Sequence, residues 1–242
     1  VIEGQRKFMG TLWNTYAFYA LYANIDGFDP TKYTLNKDTL SVMDKWILSR
    51  LNTAVKLVDS YLDAYKVTEA TRVLEDFVDG LSNWYVRRCR ERFWVKDMPT
   101  DKVNAYMTLY TALVTIAKAA APMIPFMSEE IYQNLVKSVD RNAPESVHLC
   151  SFPEVNEAWI DEELEAEMKE IVDVVVLGRA ARNGSNIKNR QPIGKMYVKS
   201  ESGALDSFYT DIIAEELNVK KVDFDADVKS FTSYSFKPQL KT

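Results

Sequence analysis

Apolar residues recur at three- and four-residue steps through most of the first 153 positions, the spacing that gathers them on one face of an α-helix. A first helix ends near Ile25 and gives way to a loop containing Gly27 and Pro30. Leu40, Met43, Ile47, Leu51, Ala54, Val58, Leu62 and Tyr65 then form one buried stripe on a long second helix, and Ser41 with Asp44 three positions later supplies a capping-box-like start. Thr68 is placed to cap a third helix, whose inward positions are Val73, Leu74, Phe77, Leu81, Trp84 and Tyr85. Pro99 and Thr100 mark a turn. A fourth helix follows with Tyr106, Tyr110, Leu113, Ala117 and Ala120 on one face, until Pro122 and Pro125 stop it before a fifth that starts near Ser128. Long amphipathic helices with short connections predict an antiparallel bundle over residues 1–153.

Beyond Pro153 the pattern changes. An acidic helix from about Asp161 becomes strongly apolar between Ile171 and Leu177 and delivers Arg179 and Arg182 at its end, where cations complement the helix dipole. Gly184 and Pro192 bracket a loop, Met196 and Val198 alternate as in a strand, and Leu205 to Leu217 reads as another helix. Val219, Val222 and Phe224, then Phe231, Tyr234 and Phe236, offer two short strands. The expected fold is mainly α: a helical bundle over 1–153 followed by a small α/β module over 154–242.

Composition narrows the chemistry. With 242 residues and 47% hydrophobic content the chain can bury a full core. Its two cysteines, Cys89 and Cys150, and its one histidine, His148, are too few for a four-ligand Cys/His metal site, and both cysteines read as reduced packing residues. No run of about 18 uncharged apolar residues and no leader pattern stand in the sequence, so a cytoplasmic protein with no membrane span is expected. A chain that opens on Val1 reads as a segment of a longer protein. Catalytic motifs do not stand out: no Gly-rich phosphate loop occurs, and adjacent Glu129 and Glu130 point about 100° apart on a helix, which suits capping better than acid-base chemistry. Asp76 and Asp79 lie one turn apart without the second acidic motif that a metal-diphosphate site needs.

The net charge of −5 argues against nucleic-acid binding through the overall field, but charge is unevenly spread. From Arg87 to Lys96 five basic residues, Arg87, Arg88, Arg90, Arg92 and Lys96, meet only Glu91, and Trp84, Tyr85, Phe93 and Trp94 are interleaved with them. A second basic stretch holds Arg179, Arg182, Lys188, Arg190 and Lys195, and an acidic block from Glu154 to Asp173 lies between the two. Because charge is screened over about 8–10 Å at physiological salt, local sign decides where a polyanion touches. On spacing alone a charged helical run more commonly only faces water, yet guanidinium groups beside stacking rings also suit RNA. Arg87, Arg88, Arg90, Arg92 and Lys96 are therefore candidates for phosphates or bases and Trp94 for stacking, with Trp84, Tyr85 and Phe93 read as core. Arg182, Lys188, Arg190 and Gln191 are candidates for a second RNA contact, in even competition with salt bridges to the acidic helix.

The run Asn83-Trp84-Tyr85-Val86-Arg87-Arg88-Cys89-Arg90-Glu91-Arg92-Phe93-Trp94 resembles the Trp-Tyr-x-Arg-Arg-x-Arg-x-Arg-Phe-Trp signature in the anticodon-binding region of isoleucyl-tRNA synthetases, class I aminoacyl-tRNA synthetases. Leu12-Trp13-Asn14-Thr15, the run Asp44 to Asn52, Ala121 to Tyr132, Ser146-Val147-His148-Leu149, and Arg182-Asn183 through Ile187 to Pro192 are similar to family segments in the same order. The resemblance implies a non-catalytic bundle that receives the anticodon stem-loop of isoleucine tRNA, attached to catalytic and editing domains whose chemistry uses ATP and Mg. The fragment itself is expected to need no cofactor. The family's His-x-Gly-His-like and Lys-Met-Ser-Lys-Ser-like elements are missing; Lys195-Met196-Tyr197-Val198-Lys199-Ser200 matches the second only superficially and fits a strand better. Two alternatives remain at this point: a helical protein-interaction module, and the equivalent region of a valyl- or leucyl-type relative.

Overall fold

The computed structural model describes residues 2–199 and 206–224. The chain divides into two compact units, Val1–Glu162 and Glu163–Thr242. In the first, α1 (Ile2–Asp26), α2 (Val42–Asp63), α3 (Val67–Gly80), α4 (Arg87–Trp94), α5 (Thr100–Ala120) and α6 (Pro125–Tyr132) surround one core. Short 3-10 turns at Pro30–Lys32 and Lys37–Thr39 bridge α1 and α2.

Each boundary has a local cause. Ser41 caps α2 with a full capping box in which Asp44 is the returning acid. The stripe Leu40, Met43, Ile47, Leu51, Ala54 and Val58 is buried as its spacing requires. Tyr65, expected on that stripe, instead lies past the end of α2 in a left-handed turn (φ 57°) and is 93% exposed. That turn starts α3 at Val67, so Thr68 falls inside the helix and Lys66 at the cap makes no side-chain bond. Pro122 ends α5, while Pro125 opens α6 at its first position, three residues ahead of the expected Ser128, because its fixed φ and missing N–H suit a first turn. α5 is the central helix. Its burial extends beyond the expected face to Asn104, Thr108, Leu109, Ala112, Ile116 and Ala119, since helices pack on several sides of it.

Residues 154–162 pack with the bundle, so the change of pattern at Pro153 precedes the break between units. Helix α2 supplies the ties: the Ser49 hydroxyl accepts the Asp161 N–H at 2.8 Å, the Asn52 side-chain Oδ1 accepts the Asn156 N–H at 2.9 Å, and Lys56 pairs with Glu157 at 2.9 Å. Lys37 adds a bond to the Ala158 carbonyl at 2.7 Å. Glu129 of α6 accepts the Ser146 hydroxyl at 2.8 Å and the Val147 N–H at 2.9 Å, joining two of the runs singled out in the sequence and capping the turn Val147–Leu149.

In the second unit α7 (Glu162–Gly184) is followed by β1 (Met196–Val198), α8 (Ser207–Leu217) and β2 (Val222–Phe224). The strands pair in parallel, Met196 with Val222 and Val198 with Phe224, which makes a β-α-β unit. Leu164, Met168, Ile171, Val175, Gly178 and Arg182 form the buried stripe of α7. Gly178 is required by packing: a Cβ there would stand 2.3 Å from Leu217 Cδ1. Asp206 caps α8 through the Phe208 N–H, and Asn218 ends it at φ 49°. Leu205 and the expected strand Phe231, Tyr234 and Phe236 lie outside the described residues.

Candidate nucleic-acid interface

The helix that carries the arginine run is not regular. Between α3 and α4 the turn Leu81–Val86 is π-helical. The wider turn takes one extra residue, so residues after it are rotated by about 100° relative to a continuous α-helix. Trp84, Tyr85 and Val86 are all buried there. One turn earlier, Gly80 lets Arg50 cross the helix to reach Asp76; an added Cβ would come within 2.6 Å of the Arg50 guanidinium. Asp76 thus serves an ion pair and Asp79 accepts from Asn83 at 2.8 Å.

The phase shift sends Arg92 inward, which corrects its place among the candidate RNA contacts. Its Nη1 and Nη2 each donate to one oxygen of Asp44 at 2.8 Å, and its Nε donates to Asp101 at 2.9 Å. A further Nη2 bond goes to the Asp101 carbonyl at 2.9 Å and an Nη1 bond to Cys89 Sγ at 3.7 Å, so all five donors are committed to neighbours in the same unit. Both acids stand in first turns, Asp44 of α2 and Asp101 of α5, where the helix dipoles favour them. Asp44 is fully buried and also accepts the Tyr85 and Ser41 hydroxyls. Burial alone would raise its pKa, but the Arg92 guanidinium and these hydroxyls hold it below the ordinary 3.8. Cys89 beside it is pushed up to about 11 by burial, which keeps it a thiol.

Beyond this clamp the end of α4 is open. Arg90 is exposed, its Nε resting on the Arg87 carbonyl at 3.2 Å. Arg87 lies over the Trp84 ring with its Nε bound to the Asn83 carbonyl at 2.8 Å, and both Arg87 and Arg88 are half-buried and engaged by neighbouring groups. Trp94 is 53% exposed, and its indole N–H donates to the Tyr22 hydroxyl at 2.7 Å. That bond fixes the ring while leaving much of it in water. Tyr22 was not legible as part of this site, because nothing in its local sequence shows that α1 ends beside residue 94. Lys96 is exposed in the following turn, which Lys102 anchors by donating to the Val95 carbonyl at 2.9 Å and pairing with Asp26 at 2.6 Å. Trp84, Tyr85 and Phe93 are core, Phe93 packing edge-on against Phe18 and Tyr106.

In the second unit Lys188, Arg190 and Gln191 are exposed on the loop between α7 and β1. Arg182 is not among them. It is 4% exposed, and its guanidinium donates to the carbonyls of Leu217, at 2.9 Å, and of Lys188 and Gln191. Arg179, on the acidic helix itself, pairs instead with Glu216 of α8 at 2.6 Å. Among the described residues no group of three or more His, Cys, Asp or Glu side chains could hold a metal ion, and no helix is long and apolar enough to cross a membrane.

A helical bundle that ends one helix in an exposed arginine and an oriented tryptophan, with two arginines half-buried and a fourth, Arg92, holding Asp44, has the build of an RNA-binding module. Residues 44–198 match the model of the anticodon-binding domain of tRNA ligases, and the chain belongs to that family. It is 57% identical over 242 residues to the isoleucine-tRNA ligases of Clostridium acetobutylicum and Clostridium novyi, and 43% identical over 244 aligned positions to isoleucine-tRNA ligase 2 of Bacillus cereus. These alignments cover 99–100% of this chain but 23% of each relative, so the chain spans about a quarter of the length of the relatives it matches.

Proposed function

We propose that this chain binds the anticodon stem-loop of isoleucine tRNA, as the non-catalytic anticodon-binding part of an isoleucine-tRNA ligase. The observation that carries the reading is the exposed end of α4, where Arg90 and Trp94 lie one helical turn apart and Lys96 follows just past the helix, with half-buried Arg87 and Arg88 in the turn before. Guanidinium and ammonium groups hold phosphates, and an indole fixed through its N–H offers a stacking face to an unstacked base. Lys188, Arg190 and Gln191 form the second contact in this reading. Identity to isoleucine-tRNA ligases favours isoleucine tRNA over the valine or leucine equivalents. Bond making, with ATP and Mg, belongs to catalytic and editing domains elsewhere in the parent enzyme, which acts in the cytoplasm.

The test is titration of the chain with isoleucine tRNA and with the same transcript carrying a replaced anticodon, at two salt concentrations. Tighter, salt-weakened binding to the native anticodon, reduced by Arg90→Ala and by Trp94→Ala, is expected. Equal binding to both transcripts overturns anticodon reading, and a helical protein-interaction module then becomes the better account.

A further inference from the structure

The loop 185–192 lacks regular structure, yet its main chain is held from beneath. The Arg182 guanidinium donates to the carbonyls of Lys188 and Gln191, and Asn218 Nδ2 donates to the Asn189 carbonyl at 3.2 Å. Main-chain bonds close the same ring: the Ile187 N–H to the Arg182 carbonyl at 2.9 Å, Gln191 to Lys188 at 2.9 Å, and Ile193 to Asn218 at 3.0 Å. Three loop carbonyls are thus bound to side chains of the fold, while the side chains of Lys188, Arg190 and Gln191 are exposed. Arg182 has no carboxylate partner among its described contacts, and its buried Nε meets no acceptor. A guanidinium buried against carbonyls alone is a costly way to gain stability, since an apolar side chain would fill the α7 stripe at that position. What the arrangement does achieve is a fixed loop backbone. Leu217 belongs to the same clasp, its carbonyl accepting from Arg182 at the end of α8, one residue before Asn218.

We propose that Arg182 and Asn218 are positioning residues, which set the loop so that Lys188, Arg190 and Gln191 meet RNA together. The proposal rests on the reading of those three side chains as an RNA contact. A pre-set loop avoids the ordering cost that a flexible one pays on binding, so loosening the clasp weakens binding without removing any contacting group.

The experiment is a double-mutant cycle on the 242-residue chain, with binding to isoleucine tRNA followed by fluorescence anisotropy. Arg182→Lys keeps the charge, but one ammonium group cannot span the three carbonyls. Asn218→Gly keeps the left-handed residue that ends α8 and removes only the bond to Asn189. Arg190→Ala is expected to weaken binding by roughly fivefold or more, the scale of one charged contact. Arg182→Lys is expected to weaken it comparably, and the double variant to be no weaker than the worse single variant by more than about twofold, because both changes disable one contact. Asn218→Gly should weaken binding with an unchanged melting temperature, a combination that a purely structural role does not produce. It also decides the matter if Arg182→Lys does not fold. Independent effects that multiply in the double variant, or native binding by Asn218→Gly and Arg182→Lys while Arg190→Ala is weakened, overturn the positioning role. Native binding by Arg190→Ala and by Lys188→Ala overturns the RNA contact itself, and the proposal with it.

Discussion

Two arginines two residues apart have opposite employment. Arg92 closes a network with buried Asp44 and Tyr85 and, at its rim, exposed Asp101, whereas Arg90 stands in water. Breaking a buried pair leaves an uncompensated charge, so Arg92→Ala is expected to cost about 3–5 kcal/mol in chemical denaturation. Arg90→Ala should stay within about 0.5 kcal/mol of the parent in the same assay, while losing tRNA affinity. The Asp44 carboxylate also sets a pH dependence. Its pKa is depressed in the folded state, so its stabilisation is present in full well above the ordinary value of 3.8 and is lost as pH falls through the lower folded value. The melting temperature should therefore drop below about pH 4. Asp44→Asn should be destabilised at pH 7 and show a shallower acid limb. An acid limb of unchanged slope in Asp44→Asn would assign the effect to other carboxylates with depressed pKa values, among them Asp26, held down by Lys102 and Tyr106, and Glu129.

At the scale of elements, close approach decides two glycines differently. Ala at 178 drives a methyl into Leu217, which is 2% exposed and has nowhere to go. Gly178→Ala is expected to destabilise the second unit by about 1–3 kcal/mol despite the better helix propensity of alanine. At position 80 the obstacle is the mobile end of Arg50, and the gain of about 0.5–1 kcal/mol from removing a helical glycine offsets the displaced pair with Asp76. Gly80→Ala should thus be close to neutral by thermal melting. Boundaries set within a few residues are local events: the Ser41–Asp44 box was legible, whereas Pro125, which the pattern marks as a stop before Ser128, is the first residue of α6. The π-turn Leu81–Val86 was not legible. Its extra residue is selected by what Tyr85 and Arg92 meet on α2, and the spacing of apolar residues reads equally well as a plain helix.

For the whole molecule, a net charge of −5 and an RNA-binding reading coexist because the basic side chains are gathered at the end of α4 and on the loop before β1. If four phosphates are contacted, log K for tRNA should fall with log salt at a slope of about −3, intermediate between the per-phosphate values for single strands and duplex. A slope near zero in titrations between 50 and 200 mM salt would rule out a phosphate-led interface. The order of helices, the core stripes and the candidate run were readable along the chain because helical periodicity and caps act over three or four residues. The identity of the exposed arginines was not readable. All four in the run share one residue type, and only tertiary contacts, those of Arg92 with Asp44 and Asp101 above all, separate them.

The sequence by itself determined that this chain is a helical bundle followed by a smaller α/β part, where its basic and aromatic residues concentrate, and which family it resembles. Tertiary structure alone decided that Arg92 and Arg182 are spent inside, that Tyr22 orients Trp94, and that Ser49 and Asn52 draw residues 154–162 onto α2. The division follows from range. Periodicity and capping are encoded between near neighbours, whereas a guanidinium finds its carboxylate 48 residues away only once the helices have packed.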